Sequence, residues 1–297
     1  MAKSYIFSGH ETFYCKSFWL KKGYDFIVQG NSFSDENAVI ELGVGKNMVS
    51  SIKYWMKAFG LLDDNNDITP FAHRIFNENN GLDKYLEDKS TLWLLHYMLV
   101  SQNYASIYNL VFSELHRSKN EFDISSLENF IKRKCSEEDY TFNENTVKKD
   151  IRTFIHNYVQ PVSKGNVDEI YSSLLIDLNL ILYYRNEDTK RDYYSFNHRN
   201  INLPPYQLIV YIILNYFEDN TIDFRELMYG KKPIGLILCL TENDMDHLLL
   251  EARDNLKWFV YTEDAGNKQI QIKNRPVDFW SILVSYYQII QANNYAI

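Results

Sequence analysis

Cysteine, proline and glycine are all scarce in this chain: three, six and eleven among 297 residues. Cys15, Cys135 and Cys239 lie far apart in the sequence, so they form no closely spaced metal-binding pair and imply no disulfide framework. Reduced thiols and a cytoplasmic location are the expectation. No glycine- or proline-rich linker and no low-complexity run divides the chain. No stretch approaches the roughly 20 apolar residues that a membrane helix needs, and no apolar segment follows positive charge at the N-terminus, so no membrane association is expected. An excess of positive charge is missing too. With 31 Lys and Arg against 39 Asp and Glu, the formal net charge is -8. A protein that coats nucleic acid non-specifically is thereby disfavoured, and any DNA contact must be local.

Apolar residues, at 45% of the chain, suffice for a substantial core. Their patterning predicts a mainly α fold with short β hairpins, an α+β class, arranged as two or three winged-helix-like units. Changes of pattern place the breaks near Ser118 to Phe122 and near Asn200 to Leu203. The units are then residues 1–118, an N-terminal winged-helix DNA-binding unit; 119–202, a second helix-turn-helix-like unit with a small β element; and 203–297, a C-terminal winged-helix-like unit suited to partner binding.

The first unit carries the clearest signal. Met48, Ile52, Trp55 and Phe59 recur at spacings of four, three and four, which puts them on one helix face. Lys46, Ser50, Lys53 and Lys57 follow the same rhythm on nearly the opposite face. No acid falls between Lys46 and Lys57, and Asn47, Ser50, Ser51 and Tyr54 add hydrogen-bonding groups suited to phosphates or base edges. A shorter apolar-periodic stretch, Ala38, Val39 and Leu42, precedes it across Gly43-Val44-Gly45. That is a helix-turn-helix outline. The apolar runs flanking the polar turn from Asp63 to Asp67 read as a wing. The bland alternative is a solvated face whose lysines only confer solubility.

A second helix-turn-helix outline follows. Val147, Ile151, Phe154 and Tyr158 form the apolar stripe, and Asn145, Lys149, Arg152 and His156 the polar one, with Asn143 as the expected cap. Glu144 and Asp150 dilute its charge. In the third unit, a helix near Glu242 to Asp254 carries Glu242, Asp246, Glu251 and Asp254. Strands are expected near Lys257 to Tyr261 and Gln269 to Lys273, around Ala265-Gly266-Asn267. Such an acidic helix suits a protein partner better than DNA.

Familiar catalytic motifs fail. His10-Glu11 begins like a zinc-peptidase helix, but Tyr14 stands where the second histidine is required. Gly45-Lys46 resembles the end of a phosphate loop, yet Ile40 replaces the first glycine and Asn47 the magnesium-binding hydroxyl. Glu87-Asp88-Lys89, with Asp83 upstream, mimics the acid-x-lysine pairing of restriction-type nucleases, but Leu82 to His96 reads as helix rather than strand. His96, among Trp93, Leu94, Leu95 and Tyr97, reads as a core histidine. His10 and Glu11 stay open. Glu11 could hold a magnesium ion while His10 acts as a general base, or the pair could tie the N-terminal segment to the domain through buried hydrogen bonds.

The run from Phe7 through Lys22, continuing to Asp25, resembles the start of a bacterial family catalogued as domain of unknown function four-thousand-and-seven. Leu42 to Val49, Leu61 with Thr69-Pro70, and Tyr85 to Asp88 followed by Thr91 to His96 resemble its later motifs in the same order. Lys89 stands where the family pattern leads one to expect proline. The family is similar to SspB-type DNA-nicking components of DNA phosphorothioation defence systems. The resemblance implies double-stranded DNA as substrate and Mg2+ or Mn2+ as cofactor. It implies a cysteine desulfurase, an ATPase and an ATP pyrophosphatase-like sulfur transferase as partners, and leaves a homodimer open. His10, Glu11, Glu87, Asp88 and His96 are the motif positions, with His10 and Glu11 as the catalytic candidates and Glu11 and Asp88 as the metal candidates. Two functions follow: a DNA-binding nickase, or a non-catalytic DNA-binding adaptor or regulator that recruits the modification enzymes.

Overall fold

A computed structural model describes residues 5–160 and 173–294. The chain divides into two compact units, residues 1–197 and 198–297, and each contains one small three-stranded antiparallel sheet among helices. This is the expected α+β class.

The first unit begins with a segment of irregular backbone, residues 5–18. It continues through α1 (Trp19–Val28), α2 (Ala38–Leu42), α3 (Lys46–Ala58) and α4 (Pro70–Phe76). Gly43 ends α2 in the left-handed conformation at φ 58°, which a glycine adopts without Cβ strain, and turns the chain into α3. After α3, Leu62 and Ile68 form an antiparallel bridge around a turn in which Asp63 N–H donates to the Asp67 carbonyl at 3.0 Å. Thr69 caps α4 with Pro70 at its first position.

The core helix is α5 (Lys89–Gln102), buried all round from Ser90 to Val100. A short helix, α6 (Ser106–Asn109), runs into a π-helical turn (Leu110–Leu115). Strand β1 (Glu121–Phe122) leads to α7 (Ile124–Glu137), capped reciprocally by Asp123 and Ser126, and α8 (Glu144–Tyr158), capped by Asn143. Tyr108, Phe112, Phe154 and Tyr158 interlock with ring centroids 5.1–6.0 Å apart and bind α6 and the π turn to α8. Strands β2 (Ile181–Asn186) and β3 (Arg191–Phe196) complete the sheet in the order β1-β3-β2.

The expected break at Ser118 to Phe122 therefore falls inside one compact unit. The reason is long-range bonding. Glu121 and Phe122 pair with Ser195 and Tyr194, while Ser8, His10 and Cys15 bond to α8 from more than a hundred positions away. The other expected break, near Asn200 to Leu203, lies beside the division at 197/198.

The second unit contains α9 (Tyr206–Tyr216), β4 (Thr221–Asp223), α10 (Phe224–Tyr229), α11 (Ile234–Ile237), α12 (Glu242–Asn255), β5 (Phe259–Asp264), β6 (Asn267–Ile272) and α13 (Trp280–Asn294), with sheet order β4-β6-β5. The acidic stripe of α12 is partly used within the unit. Asp246 accepts from the Tyr261 hydroxyl and the Lys268 ammonium, and Glu242 accepts from the Tyr229 hydroxyl at 3.1 Å. Burial, and then the bond to Asp246, pushes the Tyr261 hydroxyl pKa well up. Among the described residues, no helix is long and apolar enough to cross a membrane.

Candidate nucleic-acid interface

Helix α3 presents the expected lysine stripe. Lys46, Asn47 and Ser50 are exposed; Lys53 and Lys57 are half-buried, and the Lys57 ammonium reaches the Asp64 carbonyl at 3.5 Å. Ile52 and Trp55 are buried as the apolar stripe requires, whereas Met48 is only half-buried. Two residues assigned to DNA from the sequence lie elsewhere. Ser51 is 0% exposed and Tyr54 6%, so both face the interior and neither is placed to read a base. Ser51 lies one turn before Trp55 on the same inward flank. Tyr54 packs against Tyr104 on one side and the N-terminal segment on the other. Burial, followed by the charge of Asp150, pushes the Tyr54 hydroxyl pKa well up. On α8, Asn145, Lys149, Arg152 and His156 all reach the surface, and partial desolvation of the ring, followed by the charge of Arg152, lowers the His156 pKa.

Between these helices runs the segment from Ser8 to Cys15, hereafter the strap. His10, 4% exposed, bonds through Nε2 to Asp150 Oδ1 of α8 at 2.6 Å. The Thr12 backbone N–H donates to His10 Nδ1 at 3.1 Å, which assigns the ring proton to Nε2 and makes Asp150 the acceptor. Asp150, 2% exposed, also accepts the Ser8 N–H at 2.9 and 3.1 Å through its two oxygens. Towards α3, the Trp55 indole N–H donates to the Phe13 carbonyl at 3.1 Å, and His10 packs against the adjoining rings of Tyr54 and Trp55. Further along α8, Asn157 Oδ1 accepts the Cys15 N–H at 3.0 Å, and Tyr14 meets His156 edge-on.

The strap is backbone-strained. Ser8, Glu11 and Thr12 have φ of 76°, 49° and 66°, and a β-branched residue rarely occupies that region. Gly9, at φ 96°, sits so close to Tyr54 that an added Cβ would lie 2.7 Å from its ring. Ser8, Gly9, Glu11 and Thr12 are exposed, and His10 and Cys15 are turned inward.

The two residues of the His10-Glu11 motif are thus separated in role. Both His10 ring nitrogens are engaged within the protein, the structural tie that residue chemistry admits. Glu11 points to the surface. Asp88 caps α5 by accepting the Ser90 N–H at 2.7 Å, and helix α5 starts at Lys89, not at Leu82 as periodicity suggests. The turn before it is built on buried Asp83, which accepts from Glu87 N–H, Asp88 N–H and the Thr91 hydroxyl, with Leu86 at φ 58°. His96 is fully buried and bonds the Tyr158 hydroxyl at 2.8 Å, a core histidine as expected. Among the described residues, no three His, Cys, Asp or Glu side chains converge as a metal cradle. Asp150 is the residue that sequence reasoning missed. It registers there only as an acid diluting a basic stripe, and its off-stripe position on α8 is the one signal of an inward role.

The fold is similar to that of two solved structures. One, the magnesium ion-bound SspB crystal structure, is 25% identical with a TM-score of 0.82, and the match covers 96% of this chain and 88% of that one. The second, an SspB crystal structure, is 24% identical with a TM-score of 0.80 over the same shares. No curated protein matches. Residues 7–287 match the family described as "Protein of unknown function (DUF4007)". The chain belongs to that family.

Proposed function

We propose that the chain binds duplex DNA and nicks one strand as a component of a DNA phosphorothioation system. The observation that carries this reading is the acid-free stripe of α3, whose lysines sit opposite a face on which Ile52, Trp55 and Phe59 are buried. In it, α2, Gly43 and α3 act as a helix-turn-helix, with the Leu62/Ile68 hairpin as the wing. Lys46, Lys53 and Lys57 set the register on phosphates, and Asn47 and Ser50 reach base edges. Asn145, Lys149 and Arg152 add a second contact. The partners are the cysteine desulfurase, the ATPase and the sulfur transferase of such a system, and the exposed acids of α12, Glu251 and the Arg253-paired Asp254, face a protein partner. The likeness to a magnesium ion-bound SspB supports metal dependence, with Glu11 as the exposed carboxylate of the strap and Asp88 the less available one.

A specific observation favours a second reading, a non-catalytic adaptor. Both His10 ring nitrogens are engaged within the protein, which leaves neither free to act as a general base.

Incubation with supercoiled plasmid, with and without Mg2+ or Mn2+, separates the two. Metal-dependent open circles, lost in Glu11→Ala and in Lys46→Glu/Lys53→Glu, support the nickase. Intact plasmid with a mobility shift lost only in the lysine variant supports the adaptor.

A further inference from the structure

The strap lies in the seam between the exposed faces of α3 and α8. On α3 it covers Tyr54 and Trp55, the flank bordering the lysine stripe. On α8 it covers Asp150, Thr153 and Asn157, the flank bordering Lys149 and Arg152. Trp55 of α3 also reaches α8 through Tyr108, which packs on Phe154, but nothing in the strap is helical, so its own course between the two faces depends on the few side chains that fasten it. Asp150 is the principal one, because it holds both Ser8 and His10.

We propose that Asp150 is a positioning residue for DNA binding. By bracing the strap it sets α3 and α8 so that Lys46, Lys53, Lys149 and Arg152 engage one duplex together. The proposal rests on the DNA-binding reading above. Charge complementarity names the occupant: the polar stripes of the two helices that the strap joins carry five cations, Lys46, Lys53, Lys57, Lys149 and Arg152, and the exposed part of the strap carries the single acid Glu11. Duplex phosphates match that pattern.

The positioning role runs against simple electrostatics. Asp150→Ala removes a negative charge, which by Coulombic reasoning alone strengthens binding to a polyanion. Loss of the brace instead uncouples the two helix faces, so that only one engages at a time. The slope of log K against log salt then falls in magnitude by about two, one unit for each of Lys149 and Arg152, and affinity near physiological salt weakens about tenfold. A merely destabilised protein lowers the active fraction and leaves the slope unchanged. That makes the slope the decisive readout.

The experiment is a salt titration of full-length protein with a short duplex, in the wild type, Asp150→Ala, Asp150→Asn, Lys149→Ala/Arg152→Ala, and the combination with Asp150→Ala. The expected result is a reduced slope in Asp150→Ala, no further reduction when the α8 cations are also removed, and partial rescue by asparagine, which keeps an acceptor for Ser8 and His10. A wild-type slope with equal or tighter binding in Asp150→Ala overturns the proposal. Should Asp150→Ala fail to fold, Lys149→Ala/Arg152→Ala and Lys46→Ala/Lys53→Ala carry the test. Each must lower the slope by about two, and an unchanged slope in the α8 pair overturns joint engagement. A wild-type protein that binds no duplex, or one indifferent to the α3 pair, instead removes the DNA-binding reading on which the proposal stands.

Discussion

His10 Nε2 and Asp150 Oδ1 meet at 2.6 Å in the interior of the first unit, although 140 residues separate them in the chain. The bond closes the strap over α8, and the same imidazole is packed against Tyr54 and Trp55 of α3. One histidine thus joins three segments.

His10→Ala is expected to be costly for that reason. It leaves the Asp150 carboxylate buried with only the Ser8 N–H to satisfy it, and breaking one side of a buried ionic or polar pair costs about 3 kcal/mol or more. The urea midpoint of the first unit should fall accordingly with an unchanged m-value. A change below about 0.5 kcal/mol would show that the pair contributes nothing beyond an exposed contact.

Burial of Ser51 and Tyr54 makes a pair of opposite predictions. The Ser51 hydroxyl is fully buried with no hydrogen-bond partner, so Ser51→Ala should be neutral or stabilising, by up to about 1 kcal/mol. Neither Ser51→Ala nor Tyr54→Phe should alter duplex affinity by more than about twofold, because neither group reaches the surface. A tenfold loss of affinity in a normally folded variant, measured by anisotropy, would return these residues to the interface.

Much of this arrangement is legible in the sequence, and the exceptions have physical causes. The four-three-four stripes of α3 and α8 are local, so periodicity finds both helices, and Asn143 is found because a cap acts within three residues. The hairpin around Ala265 and Gly266 is found through its turn, although β5 starts later than expected, at Phe259. The Asp83 turn is missed because its side chain replaces helical bonding just where Leu82 and Leu86 continue an apolar rhythm. Ser51 and Tyr54 are misplaced because a helix has flanks as well as two faces, and what packs on a flank is decided by a segment some forty residues earlier. Asp150 is invisible as a partner of His10 for the same reason. Its role exists only once the strap lies on α8.

The three thiols supply a pH test. Cys15, Cys135 and Cys239 are buried thiols outside any disulfide, and burial raises each pKa. The folded state therefore holds its protons to higher pH than the unfolded chain. Their contribution to stability is intact below the unfolded thiol pKa, near 8.5, and declines as pH rises above it, by at most about 1.4 kcal/mol per pH unit for each thiol. Urea midpoints should fall between about pH 8.5 and 10, and Cys15→Ala/Cys239→Ala should flatten that fall. An identical pH profile in the variant would assign the decline to tyrosines instead.

The central claim is that α3 is a duplex-binding helix, and a titration of labelled duplex with wild-type protein and Lys46→Glu/Lys53→Glu at several salt concentrations tests it most directly. The account predicts wild-type binding that weakens steeply with salt, and a variant with native stability, a slope smaller by about two and affinity lower by at least tenfold. Equal affinity and equal slope in the two proteins would contradict it and leave the lysines as a solvated face.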